Sequence, residues 1–223
     1  MKSDFIVAFD LDGVILNSKT AYVTAFRNFM TSCGHVRSEA DVLSVIGPPA
    51  QDVLRSLFPA GEPDVERKVR EGDAAVDLFA LSSGGQGLVV AVPGAADVLR
   101  EVRKLGCVTA VVTNSKRNFI DATFPRFGLS GLFDRVLPVG EGPKEVRLRL
   151  LLSEYGVSSE RMFYVGDLKR DADVARAVGA VSVIVYNEYS WLYPNEDKVP
   201  GIGADYVVSS LSGILPLLEE AVH

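Results

Sequence analysis

The stretch Phe5-Ile6-Val7-Ala8-Phe9-Asp10-Leu11-Asp12-Gly13 decides the fold. Its first residues are apolar without alternation, which describes a strand buried on both faces, the kind found in parallel α/β sheets. The run stops at two carboxylates and a glycine. Open α/β sheets bind ligands outside the carboxyl ends of their strands, so Asp10 and Asp12 are expected at the mouth of a site. Two later runs end in the same way. Val108-Thr109-Ala110-Val111-Val112 meets Thr113-Asn114-Ser115, and Met162-Phe163-Tyr164-Val165 meets Gly166-Asp167, with Asp171 close behind.

Outward from these runs, the chain beyond Pro93 alternates helix and strand with short joints, the sequence form of βαβ units on a parallel sheet. Gly94–Leu105 reads as a helix with Val98, Leu99, Val102 and Leu105 on one face, and Arg117–Phe127 as another. A short strand is expected around Val136–Val139. Lys144 opens a helix with Leu148, Leu151, Leu152 and Tyr155 on its core face, ended by Gly156. Ala172–Val178 reads as helix, Val181–Tyr186 as strand, Tyr206–Val208 as an edge strand and Leu211–Ala221 as the last helix. Between Leu16 and Val92 the periodicity is helical: Tyr22, Val23, Phe26, Phe29 and Met30 recur at helix spacing, followed by Val42–Ile46, Val53–Phe58 and Val65–Leu81. Residues 17–91 are therefore expected to form an inserted helical domain, with 1–16 and 92–223 as the α/β core. Ser82–Gly87 reads as a flexible hinge, because it lacks the Gly-Lys-Ser/Thr continuation of a phosphate loop and no strand precedes it.

The chain has 223 residues, 48% of them hydrophobic, enough for a full domain with a smaller insert. A net charge of -6 and no dense Lys/Arg block argue against nucleic acid or an anionic membrane surface as the partner; a small molecule fits better. No apolar run reaches the length of a membrane span or a signal segment, which points to a cytoplasmic protein. Cys33 and Cys107 have no metal or redox spacing and are expected as small core residues. The only histidines are His35 and His223, so a Ser-His or Cys-His pair has little to stand on, and any acid or base is expected to be a carboxylate.

Spacing gives the carboxylates their meaning. Two residues apart on a strand, Asp10 and Asp12 share a face, roughly 6–7 Å apart, and Gly13 allows a sharp turn directly after them. One carboxylate is then placed to attack while the other handles a proton. Thr113, Asn114 and Ser115, with a hydroxyl and the backbone N–H groups that follow in a loop before a helix, suit phosphate oxygens. Asp167 and Asp171 would complete an oxygen cage for Mg²⁺. Lys144 adds a compact positive charge at a helix start.

In this order and at these separations, FDLDGVILNS, VVTNS, Lys144 and VGDLKRD resemble the motifs of haloacid dehalogenase superfamily hydrolases of the phosphoglycolate phosphatase-like branch, over essentially the whole chain. The resemblance implies a Rossmann-like parallel sheet sandwiched by helices, with an inserted α-helical cap. It implies a phosphatase acting on a small phosphorylated metabolite, as a monomer or homodimer. Asp10 would be the nucleophile that forms an aspartyl phosphate, and Asp12 the general acid and base. Mg²⁺ would be held by the side chains of Asp10 and Asp167 and the backbone carbonyl of Asp12, with Asp171 as ligand or support. Gly13, Thr113, Asn114 and Lys144 would receive the phosphate. Ile46-Gly47-Pro48-Pro49, with Gln51 and Arg55, resembles the loop-to-helix region that caps of this branch lower over the substrate; a plain helix connection with a solvated Arg55 is the alternative.

The sequence departs from the family pattern at Asn17, where Asp is frequent, at Leu168, and after Lys144, where Glu145 and Val146 replace a proline-rich continuation. Arg147 or Lys169 is accordingly an alternative to Lys144. Lys169 and Arg170 either approach an anionic substrate tail or balance the acidic cluster, and the aromatic group Tyr186, Tyr189, Trp191 and Tyr193 is expected in core packing or a subunit contact. A dehalogenase has no need of Asp12. A phosphomutase of the β-phosphoglucomutase type keeps both aspartates, and a non-catalytic binding protein would be expected to have lost one of these groups.

Overall fold

The computed structural model describes residues 4–222. The chain divides into two compact units: one runs to Asn17 and resumes at Ala91, and the other is the insert Ser18–Val90. The elements of the first unit begin with β1 (Ile6–Phe9) and the short β2 (Leu16–Asn17). The insert contributes α1 (Lys19–Ser32), α2 (Glu39–Val45), α3 (Ala50–Leu57), α4 (Val65–Leu81) and α5 (Ser83–Gly87). The chain then continues through β3 (Val90–Ala91), α6 (Ala95–Lys104), β4 (Val108–Val112), α7 (Arg117–Arg126), β5 (Arg135–Leu137) and α8 (Lys144–Tyr155). It ends with β6 (Met162–Gly166), α9 (Lys169–Val178), β7 (Val181–Val185), β8 (Tyr206–Val208) and α10 (Ile214–Val222).

The main sheet has six strands in the order β5-β4-β1-β6-β7-β8, and all its pairings are parallel. Counted along the chain, that is the doubly wound order 3-2-1-4-5-6, which reverses between β1 and β6 and opens a crevice there. Every residue of β1, β4 and β6 is buried, as their largely apolar sequences require, and the one hydroxyl of β4, on Thr109, is satisfied by the Leu132 carbonyl at 2.8 Å. Ile6, Ala8, Val108, Ala110, Met162 and Tyr164 line one face and pack against Leu148 and Leu151 of α8 and Val174, Ala175 and Val178 of α9. α6 packs against β4, with α10 beside it. At roughly 25 cal/mol per Å² of apolar surface, each fully buried Val, Leu or Ile of this core contributes about 1.5–3 kcal/mol.

The insert is held by its own core. α4 packs against α1 and α3, and Gly72 of α4 lets them close in: a Cβ there would lie 2.5 Å from the Phe29 ring and 2.9 Å from Leu54. α2 starts at a capping box, in which Asp41 N–H donates to Ser38 Oγ at 3.1 Å and Ser38 N–H to Asp41 Oδ2 at 2.7 Å. Ser82–Gly87, read from sequence as a hinge, instead forms α5. Gly85 N–H donates to Ser82 Oγ, and Gly85 sits so close to the Phe79 carbonyl that a Cβ would come within 2.0 Å of it. Glycine here serves close packing. Cys107 is buried as expected, whereas Cys33, beyond the end of α1, is only partly buried.

Candidate active site

Asp10 follows β1 directly and extends its ladder, its N–H donating to the Val165 carbonyl at 2.8 Å. Its carboxylate is nearly buried. Oδ1 accepts from Leu11 N–H at 2.8 Å and Oδ2 from Lys144 Nζ at 2.7 Å. Lys144 is the first residue of α8, and its ammonium also donates to Asp171 Oδ1 at 2.9 Å. Asp171, in the first turn of α9, is saturated by the protein. Its Oδ1 also faces the Tyr164 hydroxyl at 3.2 Å, and its Oδ2 accepts from the N–H groups of Asp167 at 3.3 Å and Leu168 at 3.2 Å. Gly166 permits that approach, since a Cβ there would lie 2.2 Å from Asp171 Cβ.

Asp167, fully buried after β6, is different. Its Oδ2 accepts from Trp191 N–H at 2.5 Å, but its Oδ1 is buried with no hydrogen-bond partner. Ligand atoms of Asp10, Asp167 and Asp171 all lie within 4.8 Å of one another. A buried carboxylate oxygen without a donor is costly unless a cation takes it, and an all-oxygen donor set suits a hard divalent ion such as Mg²⁺. The residues fit that ion.

Asp12 lies in a turn rather than on the strand that the spacing implied. After Phe9 the chain folds back, with Gly13 N–H donating to the Leu16 carbonyl at 2.7 Å and Leu16 N–H to that of Leu11 at 2.9 Å. Gly13 adopts φ +83°, and a Cβ would meet Asp167 Oδ2 at 2.2 Å and Trp191 Cδ1 at 2.5 Å; both its conformation and its bareness are required. The turn brings Asp12 to the loop after β4, where Ser115 Oγ donates to Asp12 Oδ2 at 2.5 Å. The Thr113 hydroxyl accepts from Ser115 N–H at 3.0 Å, so it shapes the turn before α7.

Of the two alternatives to Lys144, Lys169 is exposed and bonds both carboxylate oxygens of Asp173 at 2.8 Å. Arg147 is buried beneath Thr113 and Asn114, on backbone carbonyls and the Asn114 amide. Arg170 is exposed. Within the insert, Gly47 lies in the turn before α3 with φ +118°. Gln51 Nε2 donates to Asp73 at 2.9 Å, and Arg55 forks onto Glu66 at 2.8 and 3.0 Å and bonds Asp52 at 2.7 Å.

Sequence reasoning did not assign Trp191 and Tyr164 to the site, and placed Ser115 there only as part of the phosphate-facing loop. Trp191 acts through its backbone N–H, which leaves no mark in residue type. Ser115 was legible as part of the loop but not as the partner of Asp12, a contact set by the turn at Gly13.

The electrostatics are those of a crowded anionic pocket. Burial pushes the Asp10 carboxyl up to about 7 against the pull of Lys144, and the Asp171 and Asp12 carboxylates add to the rise. Burial, then Asp171 and Asp10, hold Asp167 well above the usual carboxylate range. Burial alone would lower Lys144, but Asp10 and Asp171 outweigh it and keep the ammonium charged. Such opposed shifts cluster at functional sites.

The pattern these residues make is matched in known proteins. Residues 7–185 match the model of the haloacid dehalogenase-like hydrolases. The chain belongs to that family. Among similar proteins, the phosphoglycolate phosphatase of Aliivibrio fischeri is 27% identical over 220 residues, covering 93% of this chain and 96% of that one. The phosphoglycolate phosphatase of Vibrio parahaemolyticus is 29% identical over 224 residues, covering 96% and 95%. A haloacid dehalogenase-like family hydrolase from Streptococcus pneumoniae superposes with a TM-score of 0.79 over 97% of this chain and 99% of its own, at 18% identity, a likeness of fold. Among the described residues no helix is long and apolar enough to cross a membrane.

Proposed function

We propose that this family member, a phosphatase, hydrolyses a small phosphomonoester in two steps through a phosphoryl group carried on Asp10. A carboxylate oxygen of Asp10 attacks phosphorus, and the bond from phosphorus to the alcohol oxygen breaks. The departing alkoxide takes its proton from Asp12. Asp12, now ionised, removes a proton from water, the water oxygen attacks phosphorus, and Asp10 is released with inorganic phosphate. Lys144 and the Thr113–Ser115 turn receive phosphate oxygens whose charge redistributes during transfer. Ser115 holds the Asp12 carboxylate in place between the two proton transfers.

The observation that carries this reading is the meeting of Asp10 and Asp167 across the β1–β6 reversal, with Asp167 Oδ1 buried and unpartnered. Asp10, Asp167 and the Asp12 carbonyl would hold Mg²⁺, which when bound offsets the repulsion between carboxylate and phosphate dianion. Asp171, saturated by Lys144, Tyr164 and two backbone amides, supports the cluster instead of binding the ion. The names of the relatives favour a small phosphorylated acid of the phosphoglycolate kind. The insert is proposed as a cap that opens for entry and closes for transfer, with Gly47, Gln51 and Arg55 as its substrate contacts.

The test is phosphate release from a panel of small phosphomonoesters, with Mg²⁺ or with EDTA, for the wild type and Asp10→Asn. Release from at least one ester that needs both Mg²⁺ and Asp10 is expected. Release that persists in EDTA or in Asp10→Asn would overturn the reading.

A further inference from the structure

One turn beyond Lys144, α8 carries a second buried cation that the chemistry above does not use. Arg147 is 1% exposed. Its guanidinium bonds only neutral oxygens: Nη1 donates to the carbonyls of Thr113 at 2.6 Å, Leu137 at 3.0 Å and Pro138 at 2.9 Å, and Nη2 donates to Asn114 Oδ1 at 2.9 Å. Its Nε is buried without an acceptor. Among the described residues no carboxylate pairs with it. Removing a charge from water without a counter-ion costs several kcal/mol, and arginine does not escape that cost by losing its proton. An apolar side chain of similar length would fill the same space more cheaply, so packing alone does not account for a guanidinium here.

Its contacts do. Thr113, Leu137 and Pro138 are where β4 and β5 end, and Asn114 is the central residue of the turn that follows β4. A planar fork fixes several acceptors in a defined mutual geometry, which a point charge such as lysine does not. With Oδ1 of Asn114 held on the guanidinium, the plane of that amide, and so the direction of its Nδ2 hydrogens, is fixed. We propose that Arg147 is the positioning residue of the phosphate-binding turn: it pins the Thr113 carbonyl and turns the Asn114 amide so that its donors meet phosphate oxygens. α8 thus serves both halves of the site, Lys144 holding the carboxylates and Arg147 the phosphate receptor. The inference rests on the phosphatase reading and names the residue that shapes its receptor.

The test uses inorganic phosphate as probe on the full-length, Mg²⁺-loaded protein, measured by calorimetry and as a competitive inhibitor of ester hydrolysis. Arg147→Met is expected to weaken phosphate about ten- to a hundredfold, the range for losing hydrogen bonds to a charged group, and Arg147→Lys to recover part of that. Combined with Asn114→Ala, the Arg147→Met loss should be far less than additive, because both act through one amide. A merely structural role predicts a lowered melting temperature with phosphate affinity unchanged, or additive losses, and either result overturns the assignment. If Arg147→Met does not fold, Arg147→Lys decides: wild-type phosphate affinity there overturns it. A wild type that neither hydrolyses esters nor binds phosphate removes the phosphatase reading and this assignment together. A wild type that does both, with unaffected variants, removes this assignment alone.

Discussion

Gly13 shows how much of the site rests on single residues with no chemistry of their own. Its positive φ turns the chain back after β1, and its missing side chain leaves room for Asp167 Oδ2 and Trp191. Gly13→Ala is expected to abolish ester hydrolysis and lower the melting temperature, because the added methyl cannot be placed without displacing a buried carboxylate and an indole; wild-type turnover in that variant would contradict the geometry. Asp10→Asn makes a complementary prediction: the protein stays folded, since the amide is nearly isosteric and relieves charge crowding, while turnover disappears. Circular dichroism and phosphate release check the two halves separately. The carboxylates of the candidate site were legible in sequence because they end apolar strands at motif spacing. Arg147 was legible only as a stand-in for Lys144, since an arginine beside Glu145 and Val146 reads as a helix surface until the carbonyls beneath it are seen.

At the scale of elements, the strands of the main sheet were the most readable part of the chain. Val108–Val112 and Tyr206–Val208 have the expected bounds, and β1, β6 and β7 differ from expectation by a residue at one end. A strand buried on both faces declares itself by composition alone. Helix starts were harder. α9 begins at Lys169, ahead of the expected Ala172, because Asp171 serves as its N-terminal anchor as well as a site carboxylate. α5 was missed because glycine's weak helix propensity argues for a linker, whereas the packing of Gly85 on the Phe79 carbonyl decides otherwise. The same contest is testable in α4. Gly72→Ala should gain about 1 kcal/mol in helix propensity and lose about 1–3 kcal/mol to overpacking against Phe29 and Leu54. The expected outcome is a net loss of about 1 kcal/mol, read by thermal unfolding; a raised melting temperature would show that the α1–α4 contact yields freely.

For the whole molecule, charge sets how stability depends on conditions. The ionised site gathers Asp10, Asp12, Asp167 and Asp171 against Lys144 and Arg147, an excess of negative charge that one divalent cation would neutralise. The Asp10 carboxyl, at about 7 when folded, stands above its ordinary 3.8. Between those values the folded protein keeps a proton that the unfolded chain has released, so stability falls as pH rises across that window; Asp167 acts in the same direction. Asp41 on Ser38 and Asp205 on Ser182 are lowered, and their contribution is lost only as pH falls through the acid range. In EDTA the protein should therefore melt higher near about pH 5 than near about pH 7.5, with Mg²⁺ closing the gap at the higher pH. A flat profile in EDTA would contradict the crowding of the site. Most direct of all is the covalent step. The enzyme is mixed with a labelled phosphomonoester that it hydrolyses, quenched in acid within the first turnover and reduced with borohydride, and the modified residue is located by mass spectrometry. The account predicts reduction of Asp10 to homoserine, dependent on substrate and Mg²⁺. Phosphate release with no trapped residue, or with the modification on Asp12, would contradict it.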